Sequence, residues 1–386
     1  MSFFAVFFEE SKLLFRDIAI VLTIFGGVLL YSFLYPQPYV NESVSELPIT
    51  VVDNDHSAKS RDIIFKLDAT PQVDVIRHDM SYKDALDALC ANKVKAVMVI
   101  PHNLQRDLAL GKAPTIALGV DNSYFLIYGG VLEGALKTVM TEAASIKVAN
   151  LLKGGTPLVG AKTAFSSYAL HEMPLFNPYN AYTQYVIPAV FILILQQTML
   201  IGMGILGGGI NERIRKKEDG YYCHSSVWKM VLSRYILFGV IFFTHMLYYF
   251  GFSFEFFGVS HLADIGELLA FGILFLMASL SLGLFLGTIF TSRELATPAI
   301  LFSSLPLVFS VGFVWPIEAI PVFVQQLSIL FPSTPAMEGF LKLNQMGADF
   351  SMLEKNSVIL LLQTVIYTFL GYYIMKKRQK DCYGKV

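Results

Sequence analysis

The stretch that decides the fold runs from Tyr185 to Gly209 and reads YVIPAVFILILQQTMLIGMGILGGG. It carries no charged side chain, and it exceeds the roughly 20 apolar residues that a helix needs to cross the hydrocarbon core of a bilayer. The stretch therefore predicts a membrane-spanning helix.

Five further stretches of the chain have the same character. They are Ile18–Tyr35, Met230–Phe250, Leu268–Phe290, Leu295–Trp315 and Val358–Met375. A charge at the middle of the bilayer costs about 2.5–3.5 kcal/mol, and Arg234 is the one Lys or Arg inside them, near the start of its stretch. The pattern predicts an α-helical polytopic membrane protein with six transmembrane helices.

The composition agrees with a membrane protein. Apolar residues make up 54% of the 386 and charged residues 15%, against roughly 25% charged in soluble domains. This excludes a disordered chain, a fibre and an ordinary soluble enzyme. The net charge of −1 gives no reason to expect a nucleic-acid partner.

The three cysteines are Cys90, Cys223 and Cys382. They are too few and too scattered to indicate a disulfide framework or a zinc site. We expect Cys90 to be buried in its helix, because an unpaired thiol is otherwise exposed to an oxidising compartment.

The basic residues fix the orientation. They crowd the N-terminal segment, the loop 211–229 and the C-terminal tail, whereas the short connections on the other side hold only Lys342 and Lys355. The positive-inside rule then places both termini in the cytoplasm and residues 37–181 outside. Phe33-Leu34-Tyr35-Pro36 offers a signal peptidase no small residues, so we expect the first span to be an uncleaved anchor.

Residues 37–181 predict an extracytoplasmic α/β domain inserted between the first two spans. Strands are expected at 49–52, 73–76, 94–100 and 115–120, with helices after the N-caps Ser57 and Ser81, a short helix to Leu110, and a long helix from about Ser123 to Leu152. This alternation favours a small α/β domain. Residues 153–181 then form the return linker, and the chain divides into 1–36, 37–181 and 182–386.

Two apolar segments fit neither a span nor a soluble domain. Residues 2–16 alternate Phe and Leu with Glu, Lys and Arg, which predicts a helix lying in the inner interface. Residues 316–345 are apolar but broken by four prolines, which favours a re-entrant hairpin buried against protein on the outer side.

Several motifs give no evidence of cofactor binding, metal binding or catalysis. Gly202-x-Gly204-x-x-Gly207 matches a dinucleotide fingerprint, but it lies inside a span, where small residues serve close helix packing. Gly129–Thr138 lacks the Gly-Lys-Ser/Thr order of a phosphate loop. The histidines have no paired ligand spacing, so we expect no metal site, and no catalytic motif is present.

Polar side chains inside the predicted spans are sparse. Gln196 and Gln197 in the second span, with Ser303 and Ser304 in the fifth, are the candidates for lining a pathway. The alternative for the glutamines is bonding between neighbouring helices.

Two segments resemble one family. Asn211–Gly220 reads NERIRKKEDG, which is similar to the Glu-Arg-Glu-x-Gly-Thr loop of ABC transporter permeases of the ABC-2 export type. Gly312–Pro321 reads GFVWPIEAIP, which resembles the Gly-x-x-x-Pro-Ile-Glu-x-x-Pro signature of the same family. Val51–Ser57 and Val120–Ser123 resemble the large-ectodomain subgroup. Tyr221-Tyr222 departs from the family, which usually has Thr after the glycine.

The resemblance implies a function. Loop 211–229 would be the coupling segment that docks on a cytoplasmic ATPase. The coupling residues are Glu212, Arg213, Arg215, Lys216, Glu218 and Gly220. The re-entrant motif comprises Gly312, Pro316, Glu318 and Pro321. The chain itself would bind no cofactor, because ATP and Mg²⁺ belong to the ATPase.

The same resemblance implies further partners. Permeases of this family pair as homo- or heterodimers in a bacterial inner membrane. The subgroup's ectodomain projects into the periplasm and works with an adaptor and an outer-membrane channel. The expected cargo is amphipathic or lipophilic, such as drug-like compounds, although the sequence does not name it.

Three rival functions remain open at the level of the sequence. A membrane-anchored receptor or secretion-scaffold subunit would have no ATPase and no need of loop 211–229. An ion-coupled carrier would show an internal repeat and buried ionisable groups. A membrane enzyme would show a polar catalytic cluster.

Overall fold

The computed structural model describes residues 1–39, 45–123, 125–160, 175–177, 182–312 and 314–383. The chain forms two compact units, Met1–Glu42 with Pro174–Val386, and Ser43–Met173. Much of the predicted linker 153–181 lies outside the described residues.

The main elements follow one another along the chain. They are α1 (Phe3–Arg16), α2 (Ile18–Tyr39), β1 (Leu47–Asp53), α3 (Ala58–Asp68), β2 (Val73–His78), α4 (Tyr82–Cys90), β3 (Ala96–Ile100), α5 (Leu104–Ala109), β4 (Ala117–Val120), α6 (Phe125–Lys153), α7 (Thr183–Arg215), α8 (Tyr221–His224), α9 (Val227–Phe256), α10 (Ile265–Ile289), α11 (Ala296–Ser310), α12 (Val322–Ser328), α13 (Ser333–Phe340) and α14 (Glu354–Tyr383).

The smaller unit is a four-stranded sheet with helices. Its strand order is β2-β1-β3-β4, with β1 parallel to β2 and β3, and β4 antiparallel. The predicted alternation of strands and helices is observed. Ser57 caps α3 through a capping box, and Ser81 caps α4. Cys90 is exposed at the end of α4, so the expectation that it is buried was wrong; it follows the last buried position of that short amphipathic helix.

Within the described residues of the larger unit, five helices are long and apolar enough to cross a membrane. They are Ile18–Tyr39, Thr183–Arg215, Val227–Phe256, Ile265–Ile289 and Phe350–Cys382. The predicted span Leu295–Trp315 is not among them. Its helix α11 ends at Ser310 after 15 residues, about 22 Å at 1.5 Å per residue, and Gly312 then takes a positive φ of 98°. The structure therefore does not confirm six long spans.

Two groups of contacts mark the two ends of the long helices. At the first, called the Arg293 end, Arg293 pairs with Asp17 before α2, and the Asn211 amide of α7 donates to the carbonyls of Gly287 and Phe290 at the end of α10. Gln379 near the end of α14 donates to the carbonyl of Ser225, just before α9.

The second group, called the Ser260 end, joins the opposite ends of the same helices. Ser260, which follows α9, donates through its backbone N–H to Gln184 at the start of α7 and through its hydroxyl to Gln345. Phe350, before α14, donates to Glu267 in the first turn of α10. Since α10 ends at the Arg293 end and α14 begins at the Ser260 end, the chain between them has to return across the unit.

The second half of the segment 316–345 packs inside this unit through polar contacts, whereas 316–323 is largely exposed. Ser333 at the start of α13 bonds Gln196, near the middle of α7. Gln363 of α14 donates to the Ile329 carbonyl, and Tyr367 donates to the Leu330 carbonyl. The turn between α12 and α13 therefore lies along the middle of α7 and α14, while Gln345 lies at the Ser260 end.

The glycines of the rejected dinucleotide motif serve helix packing. A Cβ on Gly207 would lie 2.5 Å from the Gly287 carbonyl oxygen of α10, and a Cβ on Gly202 would lie 2.9 Å from Ile24 of α2. Gly209 differs, because its Cβ would meet nothing closer than Arg293 Cβ at 4.0 Å.

We predict opposite effects for two alanine substitutions in α7. Gly207→Ala should destabilise the membrane unit by about 1–3 kcal/mol, because α7 and α10 must separate. Gly209→Ala should leave stability unchanged or raise it by up to about 1 kcal/mol, since alanine is the better helix former. Thermal unfolding of the full chain in detergent measures both, and equal effects would contradict the close contact.

Candidate functional site

Loop 211–229 begins where α7 stops. The Glu218 N–H donates to the Arg213 carbonyl and the Lys217 N–H to the Ile214 carbonyl, with Lys217 at a φ of 61°. This is the closing pattern of a helix whose last turn is capped by a left-handed residue. Arg213, Arg215 and Lys216 are exposed there, and Lys216 forms an ion pair of 2.8 Å with Glu212.

The next turn depends on Gly220. A Cβ at Gly220 would lie 2.5 Å from the Tyr222 ring, so the glycine allows that ring to fold back and its hydroxyl to donate to the Glu218 carbonyl at 2.7 Å. Tyr221–His224 then forms the single helical turn α8, in which Tyr222 and Cys223 are buried. The exposed charged part of the loop is therefore 212–220, and the buried part is α8.

The C-terminal helix holds α8 from one side. Gln379 Nε2 donates to the carbonyls of Tyr222 and Ser225, at 2.9 and 2.6 Å. The sulfur atoms of Cys223 and Cys382 are bonded, with 5.7 Å between the Cα atoms. This pairing corrects the expectation drawn from cysteine spacing, because folding brings together two residues that are 159 positions apart.

The N-terminal helix holds the loop from the other side. Glu10 of α1 accepts both from the Arg234 Nε, at 3.1 Å, and from its terminal nitrogen at 3.0 Å, with side chains 0% and 4% exposed. Lys229 Nζ donates to the Met1 carbonyl at 2.7 Å. Burial raises the pKa of Tyr221 well above its usual range, and the neighbouring Glu10 carboxylate adds to the shift. A neutral phenol thus lies beside a buried ion pair.

A charged groove of about 690 Å³ lies beside the loop. It is formed by the ends of α1 and α7 and the start of α2. Its basic lining residues are Lys12, Arg16, Arg213, Lys216 and Arg293, and its acidic ones are Glu9, Asp17, Glu212 and Glu218. The loop residues predicted from the sequence therefore belong to a larger charged surface that includes α1.

The four polar pathway candidates fall into separate environments. Gln196 is fully buried and bonds Ser333 through both ends of its amide, at 3.0 and 2.6 Å. Gln197 Nε2 donates to Ser303 Oγ at 3.3 Å. Ser304 is half-buried one position further along α11. The structure thus joins Gln197 to Ser303 across two helices and directs Gln196 to α13.

The proline-containing motif forms a turn at the surface of the unit. Pro316, Glu318 and Pro321 are exposed, and Gly312 has the positive φ that lets the chain turn after α11. Gln325 Nε2 donates to the carbonyls of Ile317 and Ile320, both at 2.8 Å. Gln325 therefore stabilises the turn by binding two of its carbonyls.

Sequence reasoning missed Glu10, Gln325 and Gln379. The sequence held one signal for Glu10. Arg234 is a single cation inside an apolar stretch, and a charge in that position requires a partner. Nothing in the pattern identified Glu10 as that partner, since it looks like one of several polar positions on α1.

Comparison with known proteins identifies the family. Residues 18–373 match the model of an ABC-2 family transporter protein. The chain belongs to the ABC-2 family. Its relatives include the inner membrane transport permeases YhhJ of Escherichia coli (strain K12) and of Shigella flexneri, each 24% identical over 309 residues, which cover 76% of this chain and 75% of the relative. The resemblance seen in the sequence motifs is confirmed. This ABC-2 chain is a multi-pass inner-membrane permease.

We predict that the buried ion pair stabilises this ABC-2 chain only as a pair. Glu10→Gln should cost about 3–5 kcal/mol, because it leaves the Arg234 charge buried without its partner. The double variant Glu10→Met with Arg234→Met should recover most of that loss. Unfolding midpoints in detergent measure the three proteins, and Lys12→Gln on the exposed face of α1 is the control. A double variant less stable than Glu10→Gln would contradict the prediction.

Proposed function

We propose that the chain is the permease subunit of an ATP-driven exporter whose energy comes from a separate ATPase subunit. The observation that carries the proposal is the exposed charged turn 212–220, at the end of α7 in a chain that matches the ABC-2 family over residues 18–373. A charged surface of this kind orients a soluble partner and speeds its encounter.

The contacts of α8 support a coupling role for loop 211–229. Gln379 ties α8 to α14, and Glu10–Arg234 ties α9, directly after the loop, to α1. A displacement of the exposed turn by the ATPase would therefore move three helices together as a rigid body. ATP and Mg²⁺ are bound by the ATPase in this scheme, and the permease needs no cofactor.

The pathway would form between two permease copies, through α11. The most apolar 18-residue window of α7 is buried entirely within the chain, so α7 has little surface to offer a partner. One face of α11 is apolar and exposed, and it comprises Leu301 (53%), Phe302 (84%), Leu305 (71%) and Phe309 (55%). The Gln197–Ser303 bond places the buried α7 directly behind that face. Both homo- and heterodimers are compatible with this surface.

The sixth crossing of the membrane is proposed for α11 with the turn that follows it. The chain has to return from the Arg293 end to the Ser260 end between α10 and α14, and α11 begins at the former. In this topology the Arg293 end is cytoplasmic, with both termini, while 37–181 is periplasmic and 316–345 is re-entrant from the outer side.

The proposal extends to the cargo and to the remaining partners, the latter on the resemblance to the large-ectodomain subgroup. A pathway lined by aromatic and aliphatic side chains favours amphipathic or lipophilic compounds. The α/β unit would meet a periplasmic adaptor, and through it an outer-membrane channel. The receptor or scaffold alternative gains no support from a family of transport permeases.

We predict that reversing the exposed charges of the loop uncouples the permease. Arg213→Glu with Arg215→Glu should abolish co-purification of the partner ATPase subunit, or lower its permease-dependent ATP hydrolysis in lipid at least tenfold, because two desolvated charge contacts are lost. The control is Lys376→Glu with Lys377→Glu, equally exposed cations at the end of α14.

Two outcomes bear on this prediction. An unchanged complex with the loop variant, at unchanged thermal stability, would remove loop 211–229 from the interface. Failure of the well-folded native chain to bind any ATPase would overturn the exporter proposal and favour a scaffold.

We also predict that α11 meets its counterpart in a second copy. With Cys90, Cys223 and Cys382 replaced by serine, Phe302→Cys should cross-link two chains in membranes on mild oxidation. Val365→Cys on α14, which is 66% exposed, is the control and should give no cross-link. Equal cross-linking at both positions would indicate random collision in the bilayer instead of a defined dimer.

A further inference from the structure

A pocket lies at the Ser260 end, the end of the unit opposite the loop 211–229. It has a volume of about 350 Å³ and is formed by the last turns of α9, the start of α10 and the segment after α13. Its walls are largely apolar, from Met246, Leu247, Phe250, Leu268 and Leu269. Three side chains with polar atoms also line it: Glu255, His261 and Asn344. Such a cavity is within the size range of small-molecule sites.

Asn344 leaves an acceptor without a partner. Its side chain is 1% exposed, and its Nδ2 donates to the Ser260 carbonyl at 2.9 Å. Its Oδ1 is buried and makes no hydrogen bond within the described part of the chain. A buried acceptor without a donor costs free energy, so a ligand that brings an N–H or O–H group to it would be stabilised.

The amide is held in this orientation before any ligand arrives. Ser260, whose carbonyl accepts from Nδ2, is itself held by Gln184 and Gln345 at 2.9 and 2.8 Å, and the Asn344 backbone carbonyl accepts from the Leu262 N–H at 3.0 Å. Because the donor end of the amide is already used, the acceptor end is the one that remains. Pre-organisation of this kind lowers the entropic cost of binding.

Two of the segments that line the pocket are π-helical. The chain is π-helical over Tyr248–Ser253, which contributes Phe250, and over Leu341–Gln345, which contains Asn344. π-helical turns are rare and occur frequently at functional sites, where the extra residue displaces side chains from their regular positions.

The charges around the pocket favour a cation. Glu255 lines it, is exposed, and has no ion-pair partner among the described residues. Asp264 and Glu267 lie at the start of α10, where their carboxylates accept backbone N–H groups. The nearby cation Lys342 is already paired with Glu338.

We propose that this pocket binds an amphipathic primary amine. The ammonium group would donate one hydrogen bond to Asn344 Oδ1 and face the Glu255 carboxylate, while the alkyl body lies along Met246, Phe250 and Leu268. Two sources share this chemistry, a membrane lipid with a primary-amine headgroup and a free amphiphilic amine. Binding here requires neither the ATPase nor transport, so it stands or falls independently of the exporter function.

Photolabelling tests the proposal on the full chain in phosphatidylcholine nanodiscs. The probe is dodecylamine with a diazirine near the end of its alkyl chain, and labelled peptides are mapped by mass spectrometry. We expect labelling within 246–269 and 341–345 that dodecylamine competes away. Dodecyltrimethylammonium, which has the charge but no N–H, should compete about tenfold less well, the effect of one charge-assisted hydrogen bond. Dodecanol, which lacks the charge, should compete at least as weakly.

Variants separate the site from general partitioning into lipid. Glu255→Gln should weaken labelling of the pocket about tenfold, whereas Glu354→Gln, an exposed acid at the start of α14 outside the pocket, should have no effect. Asn344→Leu should remove the preference for dodecylamine over dodecyltrimethylammonium, provided that its unfolding midpoint is unchanged.

The outcomes distinguish general partitioning into lipid from a defined site, and a membrane lipid from a free amine as its ligand. Labelling spread evenly over lipid-facing helices, or equal competition by the three amphiphiles, overturns the proposal. Pocket labelling that disappears in nanodiscs containing phosphatidylethanolamine assigns the site to a membrane lipid. Pocket labelling that persists there assigns it to a free amine, and either assignment supports the site.

Discussion

Close approach of α7 to its neighbours is the constraint on which the membrane unit depends. Inside a bilayer, apolar surface gains little from leaving lipid for protein, so helices associate through tight packing and interhelical hydrogen bonds. Gly207 brings α7 against the backbone of α10 at Gly287, and Asn211 one turn later donates to three carbonyls at the end of α10. With α7 buried by its own chain, functional surfaces have to come from the elements around it.

The loop after α7 is attached to the rest of the membrane unit by buried polar contacts. A desolvated ion pair adds little net stability compared with apolar packing, so Glu10–Arg234 is better understood as fixing the position of α1 relative to α9. Gln379 fixes α14 relative to the same loop by satisfying carbonyls that α8 leaves unbonded. Both attachments follow the exposed turn 212–220 in the chain, so a force applied to the turn, as the coupling proposal requires, would pass to α14, α9 and α1.

The sequence predicted the elements that depend on local physics. Hydropathy identified the long apolar helices, and Ser57 and Ser81 marked two helix starts because a cap is a contact between near neighbours in the chain. It failed where the answer depends on distant residues: Ser333 as the partner of Gln196, 137 residues away, and Cys382 as that of Cys223. The span Leu295–Trp315 is not confirmed for another reason, since hydropathy does not register the positive φ of Gly312 that accompanies the end of the helix.

The same shortness of α11 gives the proline motif a physical role. A 15-residue helix does not bridge a hydrocarbon core of about 30 Å, yet the chain has to reach the Ser260 end before α14 begins. Irregular backbone can complete that distance only if its polar groups are satisfied within the protein. Gln325 does this for the carbonyls of Ile317 and Ile320, and Gln363 and Tyr367 do it for those of Ile329 and Leu330. The polar side chains of 316–345 and α14 therefore satisfy backbone carbonyls of the irregular segment that follows α11.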